Sequence, residues 1–287
     1  MTGDPFVAHR SLLFTVAYEL LGSAADAEDV VQETWLRWAG VEQAEVRDPR
    51  AYLVRIVTRQ ALNRLRTLAR RREDYVGEWL PEPVLTTPDI AEDVELAESI
   101  SIAMLTVLET LGPAERAVFV LREVFDTPYE EIAAAVSKTP AAVRQIARRA
   151  REHVAARRPR MRVARTEQQA AVARFMAAIS TGDVQGLVDV LAPDVVLITD
   201  GGGVVAAALR PVTGARKVLA LLARASQLPE IAAAAAWLNG TPGVRLRIGD
   251  ASAAVSLLVE QGRITRIYAI SNPDKLGWLE RTAELRR

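Results

Sequence analysis

The sequence predicts a multidomain protein: two all-α domains, the second with a helix-turn-helix, followed by an α+β domain. Three observations predict this. Apolar residues recur at helical spacing through most of the stretch between Phe6 and His153. Residues 127–151 read as two short helices around a tight turn. Beyond Asp194, short apolar runs bounded by glycine turns take over, and helices first with strands after is an α+β plan. A chain of 287 residues is long enough for these domains to have real cores.

Taken in order, the first domain covers residues 1–75. Phe6–Leu21 is amphipathic, with Leu12, Leu13, Val16, Ala17 and Leu20 inward, and Gly22 ends it. Ser23 and Asp26 form a capping pattern that starts DAEDVVQETWLRWAG, where Val30, Val31, Thr34, Trp35 and Trp38 make the apolar side. Glu28, Asp29, Gln32 and Glu33 point outward near the N-terminus. Local physics reads them as charge that suits the helix dipole; a docking surface is the other reading. Asp48-Pro49 opens a third helix with Leu53, Ile56, Val57, Ala61, Leu65 and Leu68 inward. Arg55, Arg59, Asn63 and Arg66 share an outer stripe, and Tyr52 sits at its start beside Arg47 and Arg50. Arginines that track phosphates, with an aromatic ring at one end, suit a nucleic-acid strand and an unstacked base.

Residues 76–98 form an acidic, proline-containing connector. Trp79 and Leu80 beside Pro81-Glu82-Pro83 are more apolar than a solvated linker needs, which points to docking. The second all-α domain spans 99–158. Apolar helices are expected at Ser99–Leu111 and Pro113–Phe125. In the helix-turn-helix, Thr127, Pro128 and Glu130 open the first helix, which packs Ile132, Ala133 and Val136. Thr139 caps the second, which packs Val143, Ile146, Ala147 and Ala150. Ala141, Ala142, Arg144, Gln145, Arg148 and Arg149 are left outward. Such a face offers guanidinium and amide groups to phosphates and base edges, although an ordinary helical hairpin with a basic face fits this stretch alone.

A basic linker, 159–167, precedes the third domain, 168–287. Helices are expected at Gln169–Ser180, Asp183–Leu191 and Gly214–Ser226. Strands are expected at Val195–Thr199, Val204–Leu209, Ala232–Leu238, Val244–Ile248, Ala253–Glu260 and Ile264–Ser271, the last two joined by Gln261-Gly262. The two histidines, His9 and His153, lie outside this domain, and its acids include Asp194, Asp200, Asp250, Glu260 and Asp274. Asp200 at a strand end is a possible base, but bonding the backbone of the glycine turn after it is the simpler role.

Charge is zero overall yet unevenly laid out. Residues 47–72 hold nine arginines and one acid, residues 139–165 hold nine arginines and one acid, and residues 73–115 hold eleven acids and no Lys or Arg. Two basic blocks around an acidic one fit a nucleic-acid partner. There is no cysteine, so disulfides and thiolate metal sites are excluded, and no apolar run is long enough to span a membrane. The cytoplasm is the default compartment, and no cofactor is expected.

DAEDVVQETWLRW, DPRAYLVRIVTRQALNRLR and LGPAERAVFVLREVFDTPYEEIAAAVSKTPAAVRQIARRAR, in that order, resemble the two domains of an extracytoplasmic-function (ECF) sigma factor of bacterial RNA polymerase. The resemblance implies that Glu28, Asp29, Gln32 and Glu33 meet the β′ clamp helices of the core enzyme, with the β flap as a further contact of the factor. It implies that Arg47, Arg50, Tyr52, Arg55, Arg59, Asn63 and Arg66 read and open the −10 element, and that Thr139, Ala141, Arg144, Gln145, Arg148 and Arg149 read the −35 element. The family more often has Trp where this chain has Tyr52.

WLPEP, Asp200-Gly201-Gly202-Gly203 and Asn272-Pro273-Asp274-Lys275-Leu276 resemble hallmarks of the ECF subgroup with a fused SnoaL-like, cone-shaped α+β barrel. By that resemblance Trp79, Leu80, Pro81, Asp200, Gly201, Gly202, Asn272, Pro273, Asp274, Lys275 and Leu276 are interdomain regulatory residues. No separate anti-sigma factor is then required, and a small ligand in the third domain is conceivable. Val204 departs from the pattern, which often continues with a basic residue there.

Overall fold

The computed structural model describes residues 4–158, 163–226, 231–249 and 251–287. Two expectations fall partly outside them: residues 159–162 of the basic linker, and Asp250. The helices are α1 (Pro5–Leu21), α2 (Ala24–Ala39), α3 (Pro49–Glu73), α4 (Val94–Ser99), α5 (Ile102–Leu108), α6 (Pro113–Phe119), α7 (Tyr129–Val136), α8 (Pro140–Ala155), α9 (Arg165–Thr181), α10 (Val184–Val190) and α11 (Ala215–Ser226). The strands are β1 (Leu191–Asp200), β2 (Val212–Thr213), β3 (Ile231–Leu238), β4 (Thr241–Ile248), β5 (Ala251–Glu260) and β6 (Arg263–Ile270). The chain divides into two compact units. One holds residues 1–74, 104–158 and 284–287; the other holds 75–103 and 159–283.

The first unit is helical. Asp4 accepts the Phe6 N–H at 2.9 Å to start α1, and Gly22 ends it at φ 65°. Ser23 accepts the Asp26 N–H at 3.1 Å to start α2. The three N-terminal helices pack on one another, and α3 also packs on α6 and α7. Arg116 on α6 is buried, donating to the Glu19 carbonyl of α1 at 2.9 Å and pairing with Glu109 at 2.5 Å. Trp35 was expected inward but is 46 % exposed. The buried stripe of α2 is Ala27, Val30, Val31, Thr34 and Trp38, and position 35 falls one helical step off it. The helix expected over Pro113–Phe125 widens into a π turn at Val120–Val124.

The second unit has a six-stranded sheet in the order β2-β1-β6-β5-β4-β3. All pairs are antiparallel except β1 with β6, which is parallel, so the sheet is mixed. Gln261 and Gly262 both take positive φ (52° and 73°), as the tight β5–β6 hairpin needs. Phe175, Ile179 and Leu187 from the helices meet Leu197, Val244, Leu257 and Ile267 on one sheet face. The other face buries Ile198, Leu258, Tyr268 and Ile270 against Leu80 and Ile102, which come from residues 75–103 of the same unit.

The strand expected at Val204–Leu209 does not form. Val204 and Leu209 are 71 % and 64 % exposed, and the pairing partner of β1 is the short β2 instead. Thr199 explains the detour: its hydroxyl both accepts from the Ala208 N–H at 2.8 Å and donates to the Ala208 carbonyl at 3.1 Å, occupying the backbone a ladder would use.

Candidate nucleic-acid interface and a buried anchor

The helix-turn-helix forms as its caps demand. Ser137 takes the left-handed conformation at φ 55° and ends α7. Thr139 accepts the Ala142 N–H at 3.2 Å and opens α8, with Pro140 in its first turn. Val143, Ile146, Ala147 and Ala150 are buried, whereas Thr139, Ala141, Arg144, Gln145, Arg148 and Arg149 are exposed. Arg144 lies 5.7 Å from the Tyr129 ring centroid and 4.0 Å from Glu130, and Arg148 pairs with Glu152 at 2.9 Å. These exposed pairs stabilise little, so both side chains can turn to a phosphate at small cost.

On α3, Asp48 accepts the Ala51 N–H and sets the helix start. Tyr52 packs its ring 5.8 Å from that of Trp38, and Arg55 lies 5.0 Å from the Tyr52 centroid. A cleft of about 450 Å³ opens beside them, lined by Glu42, Glu45, Arg47, Tyr52, Arg55 and Glu131 among others. Arg50 is half-buried, whereas Asn63 and Arg66 are exposed and share a 3.0 Å hydrogen bond. Arg59 is engaged: it donates to the Ala134 carbonyl of α7 at 2.7 Å. The stripe is therefore partly held by the helix-turn-helix.

The acidic face of α2 is similarly part-engaged. Glu28 pairs with Arg10, Asp29 with Arg64 at 3.2 Å, and Glu33 accepts from Gln60 at 3.0 Å. Arg64 also pairs with Asp26, and the hydrogen bond to Asp26 holds its guanidinium above its ordinary pKa. Gln32 is exposed. Trp35 and Leu36, 46 % and 65 % exposed, add an apolar edge that helical periodicity had not placed there.

The second unit contains a polar cluster built from strings far apart in sequence. Asp200 is 1 % exposed at the end of β1, and its carboxylate takes four hydrogen bonds. One carboxylate oxygen accepts from the Tyr75 hydroxyl at 2.5 Å and the Gly202 N–H at 3.1 Å. The other accepts from the Leu80 N–H at 2.8 Å and from Lys275 Nζ at 2.7 Å. Lys275 also donates to the Leu80 carbonyl at 2.6 Å, and its ammonium lies 4.0 Å from the Trp79 ring centroid and 4.8 Å from that of Tyr75. Two aromatic faces thus replace the water this buried cation gives up. Asn272 donates to the Tyr75 hydroxyl at 2.8 Å and accepts from the Asp274 N–H at 3.1 Å. Burial, then the hydrogen bond to Asp200, pushes the Tyr75 phenol well above its ordinary pKa.

The glycines are explained by crowding. A Cβ on Gly201 would lie 2.2 Å from the Val205 carbonyl, and one on Gly202 would lie 2.4 Å from Asn272. Pro81 is buried, Pro273 starts the short helical turn that carries Lys275, and Leu276 packs beside Leu80 and Leu238, whereas Asp274 is exposed. Val204, where a cation was in doubt, is exposed and outside the cluster. Between β3 and β4, Asn239 is buried, accepts the N–H of Val84 from the connector at 3.1 Å and donates to the Ile100 carbonyl at 2.8 Å. Sequence reasoning missed Tyr75 and Asn239. Tyr75 lies only four residues before Trp79, and Asn239-Gly240 at a strand end was a legible turn signal.

This fold, a helical unit with a basic helix-turn-helix and a second unit with a mixed sheet, defines a class. Residues 6–71 match sigma-70 region 2, and residues 101–154 match sigma-70 region 4. The chain is 39 % identical to the ECF RNA polymerase sigma factor SigJ of Mycobacterium tuberculosis, covering 96 % of this chain and 93 % of that one. It is 32 % identical to the probable ECF sigma factor SigI of the same species, over 94 % and 92 % of the two chains. The crystal structure of M. tuberculosis SigJ superposes with a TM-score of 0.75 at 35 % identity, covering 94 % of this chain and 96 % of that one. The protein belongs to the ECF RNA polymerase sigma factors. No helix among the described residues is long and apolar enough to cross a membrane.

Proposed function

We propose that this sigma factor directs core RNA polymerase to its promoters through three surfaces and that its third domain sets how they are presented. The α2 face, Glu28, Asp29, Gln32 and Glu33 with the exposed Trp35 and Leu36, meets the β′ clamp helices; the β flap is a further contact. Arg47, Arg50, Tyr52, Arg55, Arg59, Asn63 and Arg66 read and open the −10 element. The cleft beside Tyr52 has room for one unstacked base. Thr139, Ala141, Arg144, Gln145, Arg148 and Arg149 on α8 read the −35 element in the major groove.

The observation that carries the regulatory part is the Asp200–Lys275 anchor. Residues 75–103 are the tether between α3 and the second sigma block, yet Tyr75 and Leu80 hold them to the third domain by hydrogen bonds to its buried Asp200–Lys275 pair. The pinned length fixes how much slack the two DNA-reading blocks have. In this reading the third domain replaces a separate anti-sigma factor and performs no bond chemistry. Asp200, its best-placed carboxylate, spends both oxygens on structural donors and is closed off from any substrate.

The test is run-off transcription with purified core enzyme and no other protein. Full-length factor is compared with Asp200→Ala, Lys275→Ala and truncations after Arg165 or within 272–287. Promoter-specific output should change in every variant that breaks the anchor. Identical output from all of them overturns the regulatory reading, and loss of promoter-specific output by the intact factor overturns the rest.

A further inference from the structure

The sheet face that packs against Leu80 and Ile102 continues past them toward its β3 edge, and there its character changes. Arg245 and Arg247 stand two apart on β4 and therefore on the same face. Their cross-strand neighbours are all small: Ala234 and Ala254 beside Arg245, Ala232 and Ser252 beside Arg247. No carboxylate shares their register. Among the described residues neither guanidinium has an ion-pair partner. Two like charges about 7 Å apart repel, weakly in water, and a dianion between them turns that repulsion into two attractions.

The small neighbours leave space above the strands. A groove of about 540 Å³ runs over Ala232, Ala234 and Ser252 and is walled by the two arginines and by Pro273, Leu276, Gly277, Leu279 and Glu280. The lining thus joins two arginines to alanine, proline and leucine side chains, with a single carboxylate, Glu280. We propose that this groove binds a small organic dianion, a phosphate monoester or a dicarboxylate on a compact apolar body. Arg245 and Arg247 hold the charged head, each giving charge-assisted hydrogen bonds that a neutral molecule cannot draw. Leu276 and Leu279 cover the body. The wall that closes the groove includes the same turn that carries Lys275, so the occupant touches the anchor loop directly. The effect on transcription rests on the regulatory reading above; the binding does not.

Binding is measured by titration calorimetry on the full-length protein without polymerase, at fixed ionic strength. The probes are phenyl phosphate, inorganic phosphate, phenol and a duplex DNA. Phenyl phosphate should bind saturably at one site, at least tenfold more tightly than inorganic phosphate, and phenol should give no heat. Arg245→Gln/Arg247→Gln should weaken phenyl phosphate at least tenfold. Because both side chains are exposed, that variant should keep the parent's melting temperature, which separates lost binding from lost folding. Saturable binding that survives the double substitution overturns the proposal, as does the absence of any phenyl phosphate binding. A double variant that loses affinity for duplex DNA alone assigns the arginines to nucleic acid and overturns it too.

Discussion

The buried anchor of the second unit and the exposed face of α8 use charge in opposite ways. Asp200 and Lys275 are 0 % and 7 % exposed at their side chains, and every polar atom of the pair points at a protein partner. Arg148 and Glu152 are 78 % and 64 % exposed and share one contact that water can replace. A buried charge commits the chain to one geometry, because undoing it strands an ion in an apolar site. An exposed charge commits the chain to nothing and stays available for phosphate. The protein places the first kind between the end of β1 and the turn at 273–275, and the second along α8.

The sharpest way to break this comparison is Asp200→Ala. Removing one partner of a buried pair costs about 3–5 kcal/mol, so the second unit's calorimetric transition should fall steeply while that of the helical unit changes little. Equal stability with and without the carboxylate would mean that the anchor holds nothing. Next in size is Arg149→Ala on the exposed face. Promoter binding by reconstituted holoenzyme should weaken by about 1–3 kcal/mol, with the largest change on sequences altered in the −35 element, and thermal stability should stay within about 0.5 kcal/mol. A stability loss without a binding loss would place that arginine in the anchor's class instead. The smallest effect belongs to Tyr75→Phe, about 0.5–1.5 kcal/mol at neutral pH. Because the folded state holds the phenol proton more tightly than the unfolded chain does, this contribution is complete below pH about 10 and declines as pH rises past it. Urea denaturation from pH 8 to pH 11 should therefore show a steeper alkaline loss in the parent than in the Phe variant.

What the sequence made legible divides along the same line. Every residue assigned to the outer face of α8 is exposed or half-exposed, because a short helix with a Thr cap and a Pro start has only one phase that buries Val143, Ile146 and Ala150. The three strings WLPEP, DGGG and NPDKL were visible as strings. That Asp200 pairs with Lys275 was not, since the two lie 75 residues apart and nothing local links a strand-end acid to a turn lysine. Trp35 failed for a smaller reason: a large apolar residue was assigned to the core although the buried stripe of α2 was already filled by Thr34 and Trp38. Val204–Leu209 read as a strand on composition, and Thr199 took its backbone instead.

The anchor also sets a clock on the birth of the protein. Leu80 and Lys275 lie 195 residues apart, so the tether emerges from the ribosome about 10 to 40 s before the lysine that pins it, at roughly 5–20 residues per second. Until β1, β5 and β6 have followed, Leu80 has no sheet face to cover it. A polypeptide whose translation stops short of residue 275 lacks the ammonium that donates to both the Leu80 carbonyl and Asp200.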